Sequence, residues 1–530
     1  MTHFDFLSGR RPPSYASQAM IATSHPLSTS AGLAVLSEGG NAVDAAICAC
    51  AVQCVTDTHM TGIGGDCFVL YAPAGGGVRA LNGSGMAPAA ASPEALRAKG
   101  ITELTQTSPH SITIPGAISA WCLLHDEYGT LPLDRLFAPA IRYAEEGFPI
   151  TARVARDWAA FGDSLQPGDH AARLFLPDGR APRAGRVLRQ PLLGARLREI
   201  ASKGAAAFYT GETAAKMCRY LQELGGLHSE QDFHDSLSVA RWEEPISASY
   251  RGCEVLECGP NGQGLAALLI LRILEGFDMG PQVSQADRIH LLAEATKLAY
   301  HHRDALIADP AYCEGLAQQL LSDKVIETLR ARIDPLRAGK PVLWTEPEHK
   351  DTIYLCVIDA EGNAISFINS IFHAFGSTRL DPETGILFHS RGLSFSLDPS
   401  HPNAIGPGKR PMHTIIPGML RENGRVTMPF GVMGGHYQAA GHAGFLSAVL
   451  DRGLDIQSAM EEPRSFAFNG ELQIEPGLPD PVCRELEERG HHLSVQAGPL
   501  GGAQAIRIDS ETGVLIGASD SRKDGMAAGY

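Results

Sequence analysis

Thr352 follows an acid, Asp351, at the head of a run, Ile353 to Ile358, rich in β-branched and aromatic residues. A threonine hydroxyl is a weak nucleophile unless a base lies beside it, and one arrangement supplies that base as the residue's own free α-amine. Such an amine exists only if the chain is cut between Asp351 and Thr352. The chemistry on offer is then attack of Oγ on a carbonyl carbon, with the amine taking the proton. Read alone, the same residues suit an ordinary threonine opening a strand better, and only the rest of the chain overturns that reading.

The elements around Thr352 must position it. Asp359 to Asn363 supply a turn and Ala364 to Ser370 a second strand, which together predict a β-hairpin. Ahead of it, residues 334–351 are rich in proline and charge and read as an exposed linker, where a chain break does least damage. Farther upstream, residues 28–53 predict two helices separated by Gly39 and Gly40, with Asn41 as N-cap and Asp44 in the first turn. The apolar run that follows Asp44 predicts a buried helix.

Met60 to Asp66 is a glycine-rich turn entering a strand, Cys67 to Tyr71. It precedes a strand rather than a helix and lacks the lysine of a phosphate loop, so it reads as a backbone turn. Residues 93–245 are mostly helical, including a helix through Trp121 to Tyr128 and one with Ala138, Ile141 and Ala144 facing inward. A strand over 250–258, an apolar helix over 265–274 and an amphipathic helix over 285–303 follow, and beyond 352 strands and turns dominate. A helix-rich first part and a strand-rich second part predict a double sheet covered by helices.

The chain has 530 residues, 44% of them hydrophobic and 19% charged, with a net charge of −15. That is globular composition, and the acidity is spread over both parts with no basic patch, so nucleic acid is excluded as a partner. No apolar stretch is long enough to cross a membrane and no signal segment is legible, so the expectation is a cytoplasmic protein. The eleven cysteines are scattered, several within apolar runs (Cys48, Cys50, Cys54, Cys67, Cys122), the pattern of reduced, buried thiols. His301, His302 and Asp304 are metal-ligand residue types, but adjacent helical histidines point about 100° apart, and a solvated face is the expectation. No serine elbow, zinc motif or dinucleotide fingerprint occurs in the right context, and neither metal nor cofactor is implied.

Several segments, taken together, resemble the γ-glutamyltranspeptidase family. They are Asn41 to Ala46, Gly62 to Gly65, Met86 to Pro88, Pro115 and Gly116, Tyr128 to Pro132, Lys409 to Pro411, and Gly434 and Gly435, in the order found in that family. Asp351 and Thr352 fall where those enzymes carry their cleavage point and nucleophile. The resemblance implies an α/β, four-layer αββα N-terminal-nucleophile hydrolase fold. It also implies a proenzyme that cuts itself into a large chain, residues 1–351, and a small chain, 352–530, which stay together as a heterodimer, with a dimer of heterodimers as a further assembly. Thr352 is then the nucleophile, its α-amine the base, and Gly434 and Gly435 the oxyanion donors, with Ser370 supporting the nucleophile.

The positions that read a glutamyl group in that family differ here. Ser84 stands where the family has an arginine, Phe372 where it has an asparagine, Arg391 and Ser394 where it has glutamine and aspartate, and His413 and Thr414 where it has two serines. These changes remove both charged partners of an amino-acid substrate, and a buried unpaired charge on the substrate would cost several kcal/mol, on the order of lost recognition. Arg391 offers a planar fork suited to a carboxylate, while Phe372 and His413 add bulk. The resemblance narrows to oxamate amidohydrolases and short glutathione-hydrolase-like members, and hydrolysis of oxamate to oxalate and ammonia is the leading expectation. A γ-glutamyl hydrolase or transpeptidase, or an acylase with a rebuilt pocket, is the alternative, and a non-catalytic binding protein the remote one.

Overall fold

The computed structural model describes residues 11–340 and 352–530. Asp351 and most of the expected linker lie outside the described residues.

Two seven-stranded antiparallel sheets carry the architecture. In the first, the strands run in the order Met526–Gly529, Met20–Thr23, Ile353–Ile358, Ala364–Ser370, Asp66–Ala72, Arg79–Gly83 and Arg241–Glu243. In the second the order is Ser14–Ala16, Leu515–Ser519, Gly502–Ile508, Arg425–Met433, Gly418–Glu422, Cys253–Glu257 and Ile246–Tyr250. Both sheets therefore draw strands from either side of Thr352. The contrast of a helical first part with a stranded second part captures only where helices are densest.

The strand after Thr352 shows why the layers form. Its side chains alternate, as a strand's must. Ile353, Leu355 and Val357 join a core with the helix Ala42–Thr56. Tyr354, Cys356 and Ile358 face the opposite sheet, among Met419, Met433 and Ile506. Every residue of the strand is buried because both faces are covered. Helices Gly264–Leu274, Gln285–Leu306 and Gln438–Leu450 cover the outer face of the second sheet, packing on Val255, Leu420, Phe430 and Val432. The order is helix, sheet, sheet, helix, the expected αββα arrangement.

The hairpin forms with the expected bounds, pairing Ile353 with Asn369 through Ile358 with Ala364. Asp359 closes it, since its Oδ1 accepts from the N–H groups of Glu361 and Asn363. Asn41 caps its helix by accepting from Val43 and Asp44, while Asp44 accepts the Asn41 N–H at 3.1 Å. Asp44 also accepts the N–H groups of Thr130 and Leu131, which fastens the Tyr128 to Pro132 segment to this helix start.

Two local readings are corrected. The inner face of helix Leu133–Glu146 carries Leu136, Phe137, Ala140, Ile141 and Ala144, whereas Ala138 is exposed. Residues 250–258 are not one strand. A turn at Arg251 and Gly252, both with positive φ, splits the region into the hairpin Ile246–Tyr250 and Cys253–Glu257. His301 is exposed and His302 half-buried, as a solvated helix face requires, and Asp304 pairs with Arg303. All eleven cysteines are free, most of them buried. Among the described residues, no helix is long and apolar enough to cross a membrane.

Candidate active site

Thr352 sits at the inner end of a central strand and is buried. Its Oγ lies 3.2 Å from the Oγ of Ser370, the last residue of the paired strand. Ser370 Oγ also accepts the backbone N–H of Phe372 at 3.0 Å. Ser370 stands opposite Asp66 across the next strand pair, and its carbonyl would lie 2.3 Å from a Cβ added to Gly65. The Gly62 to Gly65 segment is therefore a tight turn, closed by Gly65 N–H to Gly62 O, and a side chain at Gly65 would displace the backbone under Ser370.

Gln438 approaches Thr352 from the start of the helix Gln438–Leu450. Its Nε2 donates to Thr352 Oγ at 3.4 Å, and its Oε1 accepts from Ile416 N–H at 3.0 Å. A backbone N–H can only donate, so that contact fixes which end of the amide is oxygen and turns the NH2 toward Thr352. Gln438 opens the helix that follows Gly434 and Gly435, whose φ angles are +131° and +57°. A Cβ on Gly434 would meet Leu500 O at 2.5 Å, so glycine is required there by both space and conformation. Gln263 braces the turn by donating to the carbonyls of Gly435, at 3.0 Å, and Thr414, at 2.6 Å. Arg303 holds Gln263 Oε1 at 2.8 Å and meets His436 Nδ1 at 3.0 Å, and Tyr300 OH donates to the His436 carbonyl.

Phe372 has φ of +79°, a conformation that strains a bulky residue. Its N–H to Ser370 and its ring contact with Arg391 hold it there. The Arg391 guanidinium carbon lies 3.4 Å from the Phe372 ring centroid, a cation–π contact, and Nη1 donates to Thr414 Oγ1 at 2.9 Å. Arg391 is 1% exposed. Around this charge the imidazoles are kept neutral. Burial, then Arg391 itself, pushes His373 down to about 3 and His413 down to about 4. Burial, with a smaller part from Arg391, also lowers His389, although Asp66 opposes this.

His413 is fully engaged. Its Nε2 meets Asp66 Oδ2 at 3.0 Å, and its Nδ1 accepts Ile415 N–H. Asp66 Oδ1 accepts the N–H groups of Gly85 and Gly116, at 2.9 and 3.0 Å. Burial alone would raise this carboxyl. The neighbouring histidines and the Gly116 N–H outweigh that and hold it below the usual carboxylate range. Asp66 thus gathers the Gly62 to Gly65, Met86 to Pro88, Pro115–Gly116 and Lys409 to Pro411 regions onto one buried anion. Ser84 is equally committed, bonding Asn82 Oδ1 at 2.7 Å, Asn261 Nδ2 at 3.1 Å and Arg410 Nη1 at 3.1 Å.

The structure accordingly brings Thr352, Ser370, Phe372, Arg391 and Thr414 into one chain of contacts, with Gly434 and Gly435 joined to it through Gln438 and Gln263. His413 and Ser84 are held one layer back by Asp66 and by Asn261. Ser394 also faces away, donating to Met412 O at 2.7 Å. Gln438, Asp66, Gln263 and Asn261 escape the sequence reading. The signal for Asp66 is a single carboxylate set between a glycine turn and an apolar strand.

A helix-covered double sheet with a strand-head threonine and a braced glycine pair is the arrangement of the N-terminal-nucleophile class of hydrolase. The gamma-glutamyltranspeptidase family model matches residues 28–530, and the chain belongs to that family. It is an amidohydrolase acting on C–N bonds. The chain is 35% identical over 96% of its length to the glutathione hydrolase-like YwrD proenzyme of Bacillus subtilis, covering 98% of that protein. It is 34% identical over 97% of its length to the oxamate amidohydrolase proenzyme of Klebsiella pneumoniae, covering 99% of it. The solved cephalosporin acylase of Bacillus halodurans superposes with a TM-score of 0.92 at 40% identity, over 100% of this chain and 98% of that one.

Proposed function

We propose that the chain cuts itself between Asp351 and Thr352, and that the freed Thr352 hydrolyses a small amide bearing a carboxylate, oxamate being the leading candidate. The cut releases the α-amine of Thr352, which takes the Oγ proton as Oγ attacks the amide carbon. The backbone N–H groups at Gly434 and Gly435 stabilise the oxyanion of the tetrahedral intermediate. The C–N bond then breaks, ammonia leaves with the proton from the amine, and an ester to Thr352 remains. Water, deprotonated by the same amine, attacks the ester and frees oxalate.

The observation that carries the substrate class is the contact chain from Thr352 through Ser370 and Phe372 to Arg391. It links a guanidinium, pressed on the Phe372 ring, to Thr352 through two intervening residues. A planar fork recognises a carboxylate at two points, and the surrounding neutral histidines leave it the cation of the site. Thr352, Ser370, Phe372, Arg391 and Thr414 carry no carboxylate of their own to meet an ammonium, which argues against a γ-glutamyl donor. The name of the Klebsiella pneumoniae relative supports the same reading.

The second reading, a γ-glutamyl or acyl-amide hydrolase, is favoured by the names of the Bacillus subtilis and Bacillus halodurans relatives. Ammonia release from oxamate, set beside chromophore release from a γ-glutamyl anilide and side-chain release from a cephalosporin, separates the two. Turnover confined to oxamate supports the first reading. Turnover of the anilide or the cephalosporin without oxamate supports the second.

A further inference from the structure

We propose that His290, Glu294 and His491 form a binding site for one divalent transition-metal ion of the zinc class. The ion ties the helix Gln285–Leu306 and residues 334–339 to the turn that carries His491.

The three residues are buried, and one ligand atom from each lies within 4.8 Å of the others. His290 and Glu294 are one turn apart on the same helix, so both project from one face. His491 arrives from the turn that follows helix Asp480–Glu488. Two imidazole nitrogens and a carboxylate suit zinc and its neighbours better than calcium or magnesium.

The outer partners are already in place. His290 Nε2 donates to the Asp334 carbonyl at 2.8 Å, which leaves Nδ1 as the lone-pair atom turned inward. That Nδ1 lies 2.8 Å from His491 Nε2, so the two rings now share one proton. In the bound state the metal takes the proton's place, and His491 carries its hydrogen on Nδ1 instead, with no net proton release. With metal–nitrogen bonds of about 2.0 to 2.1 Å in a tetrahedral site, the nitrogens must part by roughly half an ångström.

Lys297 is the competitor. Its Nζ lies 2.6 Å from Glu294 Oε1, and it must swing away for the carboxylate to bind metal. Beside it a cavity of about 240 Å³, lined by Lys297, Gly339, Phe468, Gly490, His491 and His492, offers an entry path and room for a water as fourth ligand. Glu294 Oε2 accepts Gly339 N–H at 3.0 Å and Ala338 N–H bonds Arg489 O at 2.8 Å. Metal binding would therefore stiffen the stretch 334–339 against the His491 turn. The site does not depend on the catalytic reading.

The test is zinc binding by the full protein after chelator treatment. The measurements are zinc retained through gel filtration by elemental analysis, and the visible absorption of the cobalt(II) form. One equivalent of zinc, a tetrahedral cobalt spectrum, and loss of both in His290→Ala and His491→Ala are expected. Because those variants remove buried groups, Lys297→Met provides the independent arm. It removes a cation beside the metal and should tighten zinc binding by at least about tenfold. Retention of far less than one equivalent by the wild-type protein, or affinity unmoved by Lys297→Met, would overturn the proposal.

Discussion

Gln438 Nε2 donates to the Oγ of Thr352 at 3.4 Å, while its Oε1 is held by Ile416 N–H at 3.0 Å. The amide therefore cannot turn round without burying an unpaired N–H of Ile416, which costs on the order of 1–3 kcal/mol. Its NH2 stays on the nucleophile and favours the state in which the Thr352 oxygen is electron-rich. Gln438→Ala should lower kcat by roughly tenfold to a hundredfold with KM little changed, because the bond strengthens as Oγ loses its proton. Steady-state ammonia release reads this out. A change confined to KM would place Gln438 in substrate binding instead.

In the proposed function Arg391 is the cation for the substrate carboxylate. Arg391→Ala should lower kcat/KM on oxamate by about a hundredfold or more, and Arg391→Lys should recover only part, since an ammonium lacks the planar fork. Full activity in the alanine variant would remove the basis for a carboxylate substrate.

Gly434→Ala inserts a methyl 2.5 Å from Leu500 O at a φ of +131°. The turn must move, and its N–H groups with it. The variant is expected to lose about 10² to 10³ in kcat, the usual effect of losing one oxyanion donor, with a lowered Tm alongside. Calorimetry and single-turnover kinetics separate the two effects. Retained kcat would show that the oxyanion is held elsewhere.

Acid should destabilise the protein in a defined window. Folded His25, His228 and His413 are depressed to about 4 and His373 to about 3, chiefly by burial, from an ordinary value of 6.5. Between these limits the unfolded chain binds more protons than the folded one. Stability is therefore full above about pH 6.5 and falls as pH drops toward 4, by up to about 1.4 kcal/mol per pH unit for each such histidine. The depressed carboxyls of Asp66 and Asp520 extend the loss to lower pH. Thermal melts from pH 7 to pH 4.5 should show a falling Tm, with a shallower slope in His373→Gln. A flat profile would contradict this.

The chemistry of the chain was legible where it depends on backbone. The Thr352 hairpin and the Asn41 cap announce themselves through turn and cap rules that act over a few residues, whereas Gly434 and Gly435 stood out through the family resemblance. The fold class followed from strands that alternate or run fully apolar. Long-range assembly was not legible. Pairing Ser370 with Asp66 spans some three hundred residues, and no local pattern says that Asp66 collects Gly85, Gly116 and His413. His413 and Thr414, which stand where the family has two serines, part company for the same reason, since neighbours in an extended chain point to opposite sides: Thr414 meets Arg391 and His413 meets Asp66. Ala138 misread because Pro139 sits inside that helix and the apolar stripe runs through Leu136, Ala140 and Ala144.

The central claim is that Thr352 becomes an N-terminal nucleophile, and the most direct measurement is intact mass with N-terminal sequencing of the purified protein. Wild-type protein should give two chains, with a new terminus reading Thr-Ile-Tyr-Leu, and Thr352→Ala should remain a single chain of 530 residues without amidase activity. A wild-type chain that stays whole yet hydrolyses amides, or a Thr352→Ala protein that retains activity, would contradict the account.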